Sequence, residues 1–500
     1  MKKSLLLSLL TSLIIPLPGA SLLQAETTHT IAPVKQLTPA EARADFDLLR
    51  KALEEAHTGL YRYSTMAEMD RTFDTERAKL DQPLKKTEFL AVMAETLSTI
   101  KCGHTGCEPD EEMKAALHGA KTFPFRILLE GRRVKVFLND TPDNQTIKPG
   151  MEIAEINGRK VSDILDRFLS LMSADGDIET GKRHDIVGRF AQYYWLFIEQ
   201  PNDFAVKAVD ESGAALFAKI EGVTDADRQK NQNPVNAAMT ANIGTLMQWP
   251  KENQSLRFLR EEQIAEIRLR YFVGDNFRQW IEATFKTLRE KGTESLIIDL
   301  RGNGGGEDMF GALLVSYLTD KPFRYFDHID VKTFTPSFTE YSDWNAGKED
   351  RLREGMTPNP AGGYFVKPQL HEGQAEQPPA EFPFLGKVFI LTDGGTFSTA
   401  ADFCAITHHL KRATFIGEET GGGYYGNNSG METTLTLPNS KLRIRLPMYE
   451  YWNAVPGYDG KRRGTIPDHI VPLTTADILH GVDAQLDRAL KLATTHAPPT

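Results

Sequence analysis

The sequence predicts an α/β protein built from more than one domain, and three observations predict it. From residue 262 onward, apolar strands alternate with amphipathic helices, the pattern of a layered α/β core. Residues 123–170 instead alternate apolar and polar positions with the period of two that paired strands need. Residues 38–101 carry apolar positions at helical spacing. At 500 residues the chain exceeds one ordinary core, so several folding units are expected.

The N-terminus reads as a secretory signal over residues 1–25. Lys2 and Lys3 precede an apolar stretch from Leu5 to Ile15, followed by Pro16, Pro18, Gly19 and Ala20, with cleavage expected after Ala25 or, second, after Ala20. The stretch is short and broken by proline, so no integral membrane span is expected after its removal. The mature chain is expected to be exported, periplasmic or secreted. Losing two lysines and no acid takes the formal charge from -10 to -12, which disfavours nucleic acid as a partner. An exported compartment permits a bridge between Cys102 and Cys107, although near neighbours of this kind are as often buried thiols; Cys404 is left over as a core residue.

An N-terminal helical domain is expected over residues 36–118. Thr38-Pro39-Ala40-Glu41 makes a capping box with proline at the first helical position. Phe46, Leu49, Leu53 and Ala56 then share one face, as do Phe89, Val92, Met93 and Ile100. A β module follows over 120–175, where Ile127 and Leu129 pair with Val134, Val136 and Leu138 across a turn at Gly131. Asn157-Gly158 is a tight turn, and Ser162 is placed to cap the helix bearing Ile164, Leu165 and Phe168. Residues 176–255 lack a clear pattern and read as a connecting region. The core spans 256–490, with strands near 264–271, 295–300, 387–392 and 414–417, a helix ending at Gly292 and another over 398–411. Residues 333–383, rich in proline, glycine and charge, read as a long lid or binding loop.

Two segments carry the chemistry. In Asp299-Leu300-Arg301-Gly302-Asn303-Gly304-Gly305-Gly306 an apolar strand runs into glycines, which let backbone amides approach a ligand. Glu307 and Asp308 follow where a phosphate loop needs Lys and Ser or Thr, so phosphate is disfavoured. Asp299 and Arg301 read as a structural pair. In Thr392-Asp393-Gly394-Gly395-Thr396-Phe397-Ser398 a strand ends in a glycine turn and a helix starts at Ser398. A serine there is usually a cap, but it also projects at the strand ends, where the Thr399 amide can face a developing oxyanion. No His or Cys spacing gives a closed metal-ligand set, and no cofactor is expected.

Together, Asp299 to Gly306, Gly395-Thr396-Phe397-Ser398-Thr399-Ala400, Gly417-Glu418-Glu419-Thr420 and Gly464-Thr465-Ile466-Pro467-Asp468 resemble the tail-specific (C-terminal-processing) and tricorn-type serine peptidases. Pro149-Gly150-Met151-Glu152-Ile153-Ala154-Glu155-Ile156-Asn157-Gly158 likewise resembles a PDZ module, whose groove takes an extended peptide. The resemblance implies a ClpP/crotonase-like core, a PDZ-like module and an exported endopeptidase acting on peptide or unfolded protein. It implies Ser398 as nucleophile, with the amides of Thr399 and Gly305 as oxyanion donors and Gly306 close behind. The lysine of the tail-specific branch is absent, since Gly421-Gly422-Gly423-Tyr424 stands there. The tricorn-like branch uses a histidine in a Gly-His-Thr setting, and Gly103-His104-Thr105 makes His104 the implied base. A third, orienting carboxylate is expected, yet Lys461 stands at the family's glutamate position; Glu450 and Asp459 are the nearby substitutes. A catalytically inactive peptide- or apolar-ligand-binding protein on the same scaffold is the alternative, and an acyl-transfer enzyme is the third reading.

Overall fold

The computed structural model describes residues 36–230, 233–246, 252–260, 262–458 and 460–494. The expected signal over 1–25 and the carboxylate of Asp459 lie outside the described residues.

A six-stranded sheet forms the core, in the order Gln254–Leu259, Ile264–Leu269, Ser295–Asp299, Lys387–Thr392, Thr414–Gly417, His469–Ile470. The first pair is antiparallel and the rest are parallel, so helices must return the chain across the faces. Alternation along the strands separates two layers. Ile298 and Ile390 join a large core with Ala400, Phe403 and Cys404 of the helix Thr399–His409. Ile297, Phe389, Leu391 and Ile416 face a smaller core closed by Ala489 of the helix Ala484–Thr494. Each of these buried Ile, Leu and Phe side chains stabilises the fold by about 1.5–3 kcal/mol. At the strand end Arg301 bonds Asp299, which is buried, and Asp483, which is partly buried.

The N-terminal helices Pro39–Ala56, Met66–Ala78 and Lys86–Ser98 form as expected, and both halves of the Thr38–Glu41 capping box are present. Phe46, Leu53 and Phe89 belong to the same apolar cluster as the core strands, so these helices share its core. The fold is the expected α/β arrangement of several regions.

Three expectations are corrected. Residues 176–255 are not simply a connector: the helix Glu179–Phe197 packs into the β module, and the strands Asp203–Val209 and Ala215–Glu221 complete its sheet. Apolar residues on the outer face of those strands, such as Ala205, Ala215 and the exposed Phe217, had hidden their period. Residues 333–383 are not a bare loop either, because Met356–Pro358 and Tyr364–Val366 join a second sheet with Phe326–Val331 and Tyr449–Asn453. Ser162 does not cap its helix; its hydroxyl bonds Asp163, and Lys160 occupies the capping position without a side-chain bond. The tight turn at Asn157-Gly158 does form, with both residues at positive φ.

Candidate active site

The site grows from the two glycine-bearing strand ends, which are bonded to one another. Asp393 Oδ1 accepts from the amides of Gly395 (2.9 Å) and Gly302 (2.8 Å). The Phe397 amide donates to Asn303 O at 2.9 Å, and Thr396 Oγ1 donates to Leu300 O at 2.9 Å. Ser398 follows as a sharp elbow with φ 52° and ψ -132°, immediately before the buried helix Thr399–His409. Such a conformation is costly for a residue with a Cβ, and strain of this kind concentrates at functional sites. Gly305, at φ 101°, abuts the elbow: a Cβ there would lie 2.6 Å from Ser398 Cβ, so only glycine fits.

The amides around Ser398 fall into two sets. The Gly305 N–H donates to Asn303 Oδ1 at 2.9 Å, so the expected oxyanion donor is already engaged. Among the described residues, the N–H groups of Thr399 and Gly306 have no acceptor. Thr399 is the first residue of its helix, where amides have no intrahelical partner and the helix dipole is positive. Its hydroxyl contacts Gly306 O (2.8 Å) and Asp308 Oδ1 (2.9 Å), which ties the two glycine-bearing segments together.

His104 comes from the other end of the chain. Its loop leads into the strand Gly106–Glu108, which pairs with Arg443–Leu446 of the C-terminal part. Arg445 Nε donates to His104 O at 2.6 Å, and the imidazole stacks on Phe397 with ring centroids 4.5 Å apart. The structure therefore brings His104 against the residue preceding Ser398. Gly103 permits this approach, since a Cβ there would meet the Phe397 ring at 2.8 Å. Burial, helped by the Arg445 charge, holds the His104 pKa well below the usual histidine value. The ring is therefore neutral near pH 7.

Among the described residues, no carboxylate takes the place of the expected third member. His104 Nδ1 is buried and has no hydrogen-bond partner, so no carboxylate orients the ring from that side among the described residues. Glu450 faces Arg62 at 3.5 Å instead, and burial raises its pKa against the pull of that guanidinium. Sequence reasoning missed Asp175, whose buried carboxylate accepts from the amides of Gly103 (2.8 Å) and Gly423 (3.2 Å). It joins the His104 loop to the glycine run beside the elbow. Its only local signal is an Asp-Gly turn, with Gly176 at φ 59°. Cys102 and Cys107 are both free thiols, so the bridge does not form; Cys102 Sγ is buried 3.6 Å from Asn428 O. Cys404 is buried in the core.

A parallel sheet thus ends in a strained serine elbow beside a free helix-head amide and a neutral histidine. Residues 263–471 match the model of peptidase family S41, which agrees with the resemblance of the sequence motifs to the tail-specific and tricorn-type enzymes. The chain is similar to mature CPAF, at 16% identity over 91% of this chain and 96% of that one, with a TM-score of 0.60. A CPAF mutant aligns at 13% identity over 92% and 99% of the two chains, with a TM-score of 0.63. Mature CPAF complexed with lactacystin aligns at 15% identity over 91% and 98%, with a TM-score of 0.59. At these identities the likeness is one of fold. No curated protein matches the sequence.

Proposed function

We propose that this chain is an exported endopeptidase in which Ser398 attacks the peptide carbonyl and His104 takes its proton. The observation that carries the reading is the strained Ser398 elbow with the unbonded Thr399 amide at the head of a buried helix. The tetrahedral oxyanion would be held by the amides of Thr399 and Gly306, not Gly305, whose N–H is spent on Asn303. His104, neutral because it is buried, is in its base form near pH 7 and returns the proton to the leaving amine. Arg445, Asp175 and the Phe397 ring hold it in place where other triads use a carboxylate. Peptide or unfolded protein is the expected substrate.

The second reading, a non-catalytic binding protein, is favoured by the partnerless Nδ1 of His104 and by Lys461 at the family's glutamate position. One experiment separates the two. The mature chain, Ser398→Ala and His104→Ala are incubated with a peptide library and new termini are read by mass spectrometry, with a fluorophosphonate and lactacystin as probes of Ser398. Cleavage by the native chain, with a loss of at least about 100-fold in either variant, is expected. Because His104 must be neutral to act, the acid limb of the native rate profile should fall below about pH 6.5. An untouched library together with an unlabelled Ser398 would leave the binding protein as the reading.

A further inference from the structure

A cavity of about 760 Å³ is lined by residues that the hydrolytic reading leaves unused. Its wall is Trp452, over which the Arg62 guanidinium stacks at 4.2 Å and against which the His328 ring stacks at 5.6 Å. Tyr63, Tyr425, Val455 and Pro456 add apolar surface. Arg62, Arg324, Lys461 and Arg462 bring positive charge, and among the described residues Asp327 is the only carboxylate in the lining. The chain as a whole is acidic, with a formal charge of -10, so this local excess runs against its surroundings.

The cations divide by availability. Arg62 is buried and fixed, donating to Tyr451 O (2.9 Å) and Tyr425 O (3.1 Å). Arg462 is held by Asp177 at 2.5 Å and by Tyr63 O at 2.7 Å. These two shape the field but have few donors left. Lys461 is exposed and has no ion-pair partner among the described residues, and the ion pair of Arg324 with Asp327 spans 3.8 Å. One unpaired ammonium and one exposed guanidinium held only by that long ion pair are thus available to meet a ligand at the rim of an aromatic wall. A phosphate dianion is served by converging bidentate arginines or a helix N-terminus; this arrangement suits a single negative charge with an apolar neighbour.

We propose that this cavity binds a carboxylate-bearing segment of a polypeptide, with the acid at Arg324 and Lys461 and an adjacent apolar or aromatic side chain against Trp452. The inference rests on the peptidase reading only for the polypeptide nature of the ligand. The lysine that replaces the family's glutamate thereby acquires a role in recognition. The cavity is also connected to the nucleophile's helix: Asn453 lines it and donates to Asp402 Oδ1 at 2.9 Å, one turn beyond Ser398.

Binding is tested on the full chain carrying Ser398→Ala, so that the result does not depend on turnover. Calorimetric titration uses acetyl-Gly-Glu-Phe-Gly-amide, its Gln counterpart, and the Gln peptide with a free terminal carboxylate. The Glu peptide should bind at least about tenfold more tightly than its amidated Gln counterpart. Arg324→Gln with Lys461→Gln, and separately the two charge reversals to Glu, should remove that preference. If the terminal acid alone restores binding, the site reads a chain end; if only the Glu peptide binds, it reads a side chain. Equal affinities for the Glu and Gln amides, or a preference that survives both rim variants, would overturn the proposal. Loss of cleavage in the native chain with the preference intact would sink the peptidase reading while leaving this one standing.

Discussion

Ser398 holds a backbone conformation, φ 52° and ψ -132°, that glycine tolerates and serine does not. Strain of this kind costs about 1–3 kcal/mol, and glycine returns about 0.4–1 kcal/mol of that through its freer unfolded chain. Ser398→Gly should therefore raise stability by about 1 kcal/mol while abolishing hydrolysis, as read from denaturant midpoints and peptide turnover. A variant less stable than the native chain would show that the elbow is relaxed.

At the scale of elements, the position of His104, the proposed base, depends on a strand pairing between distant parts of the chain. Gly106–Glu108 pairs with Arg443–Leu446, and Arg445 adds a bond from its side chain to the His104 carbonyl. Arg445→Met keeps the strand but loosens the loop, so kcat should fall by about tenfold with a smaller change in KM. The same charge helps to depress the His104 pKa. Its removal should raise that pKa and move the acid limb of the rate profile to higher pH. An unmoved limb would separate Arg445 from the histidine.

For the whole molecule, the N-terminal helices and the core are joined through buried polar contacts. His57 is fully buried, its Nε2 lies 2.8 Å from Thr105 Oγ1, and the neighbouring Thr58 hydroxyl donates to Met448 O at 2.6 Å. Burial, with a smaller contribution from Lys332, lowers the His57 pKa to about 3. The unfolded chain therefore binds the proton first as pH falls below about 6.5. Stability attributable to this group is present above that value and is lost toward pH 3, by up to about 1.4 kcal/mol per pH unit. His57→Gln should flatten the pH dependence between pH 6 and 4 by about 1 kcal/mol per unit, as read by urea denaturation. Parallel curves for the two proteins would show that His57 takes up its proton in the native state.

The sequence by itself determined the elements whose signals are local. Thr38 and Glu41 specify their capping box within four residues, Asn157-Gly158 its turn, and the apolar runs near 295–300 and 387–392 their buried strands. The Ser398 segment and the Gly-His-Thr run were legible for the same reason, through short motifs that resemble a known family. Tertiary structure alone decided what depends on partners far along the chain. The Gly305 amide is engaged because Asn303 turns its side chain back onto it, which no spacing reveals. Glu450 went to Arg62 rather than to His104, and Asp175 became the tie between the Gly103 and Gly423 amides. Local propensity acts over a few residues, whereas hydrogen-bond pairing is settled by which donors and acceptors the packed core leaves facing one another.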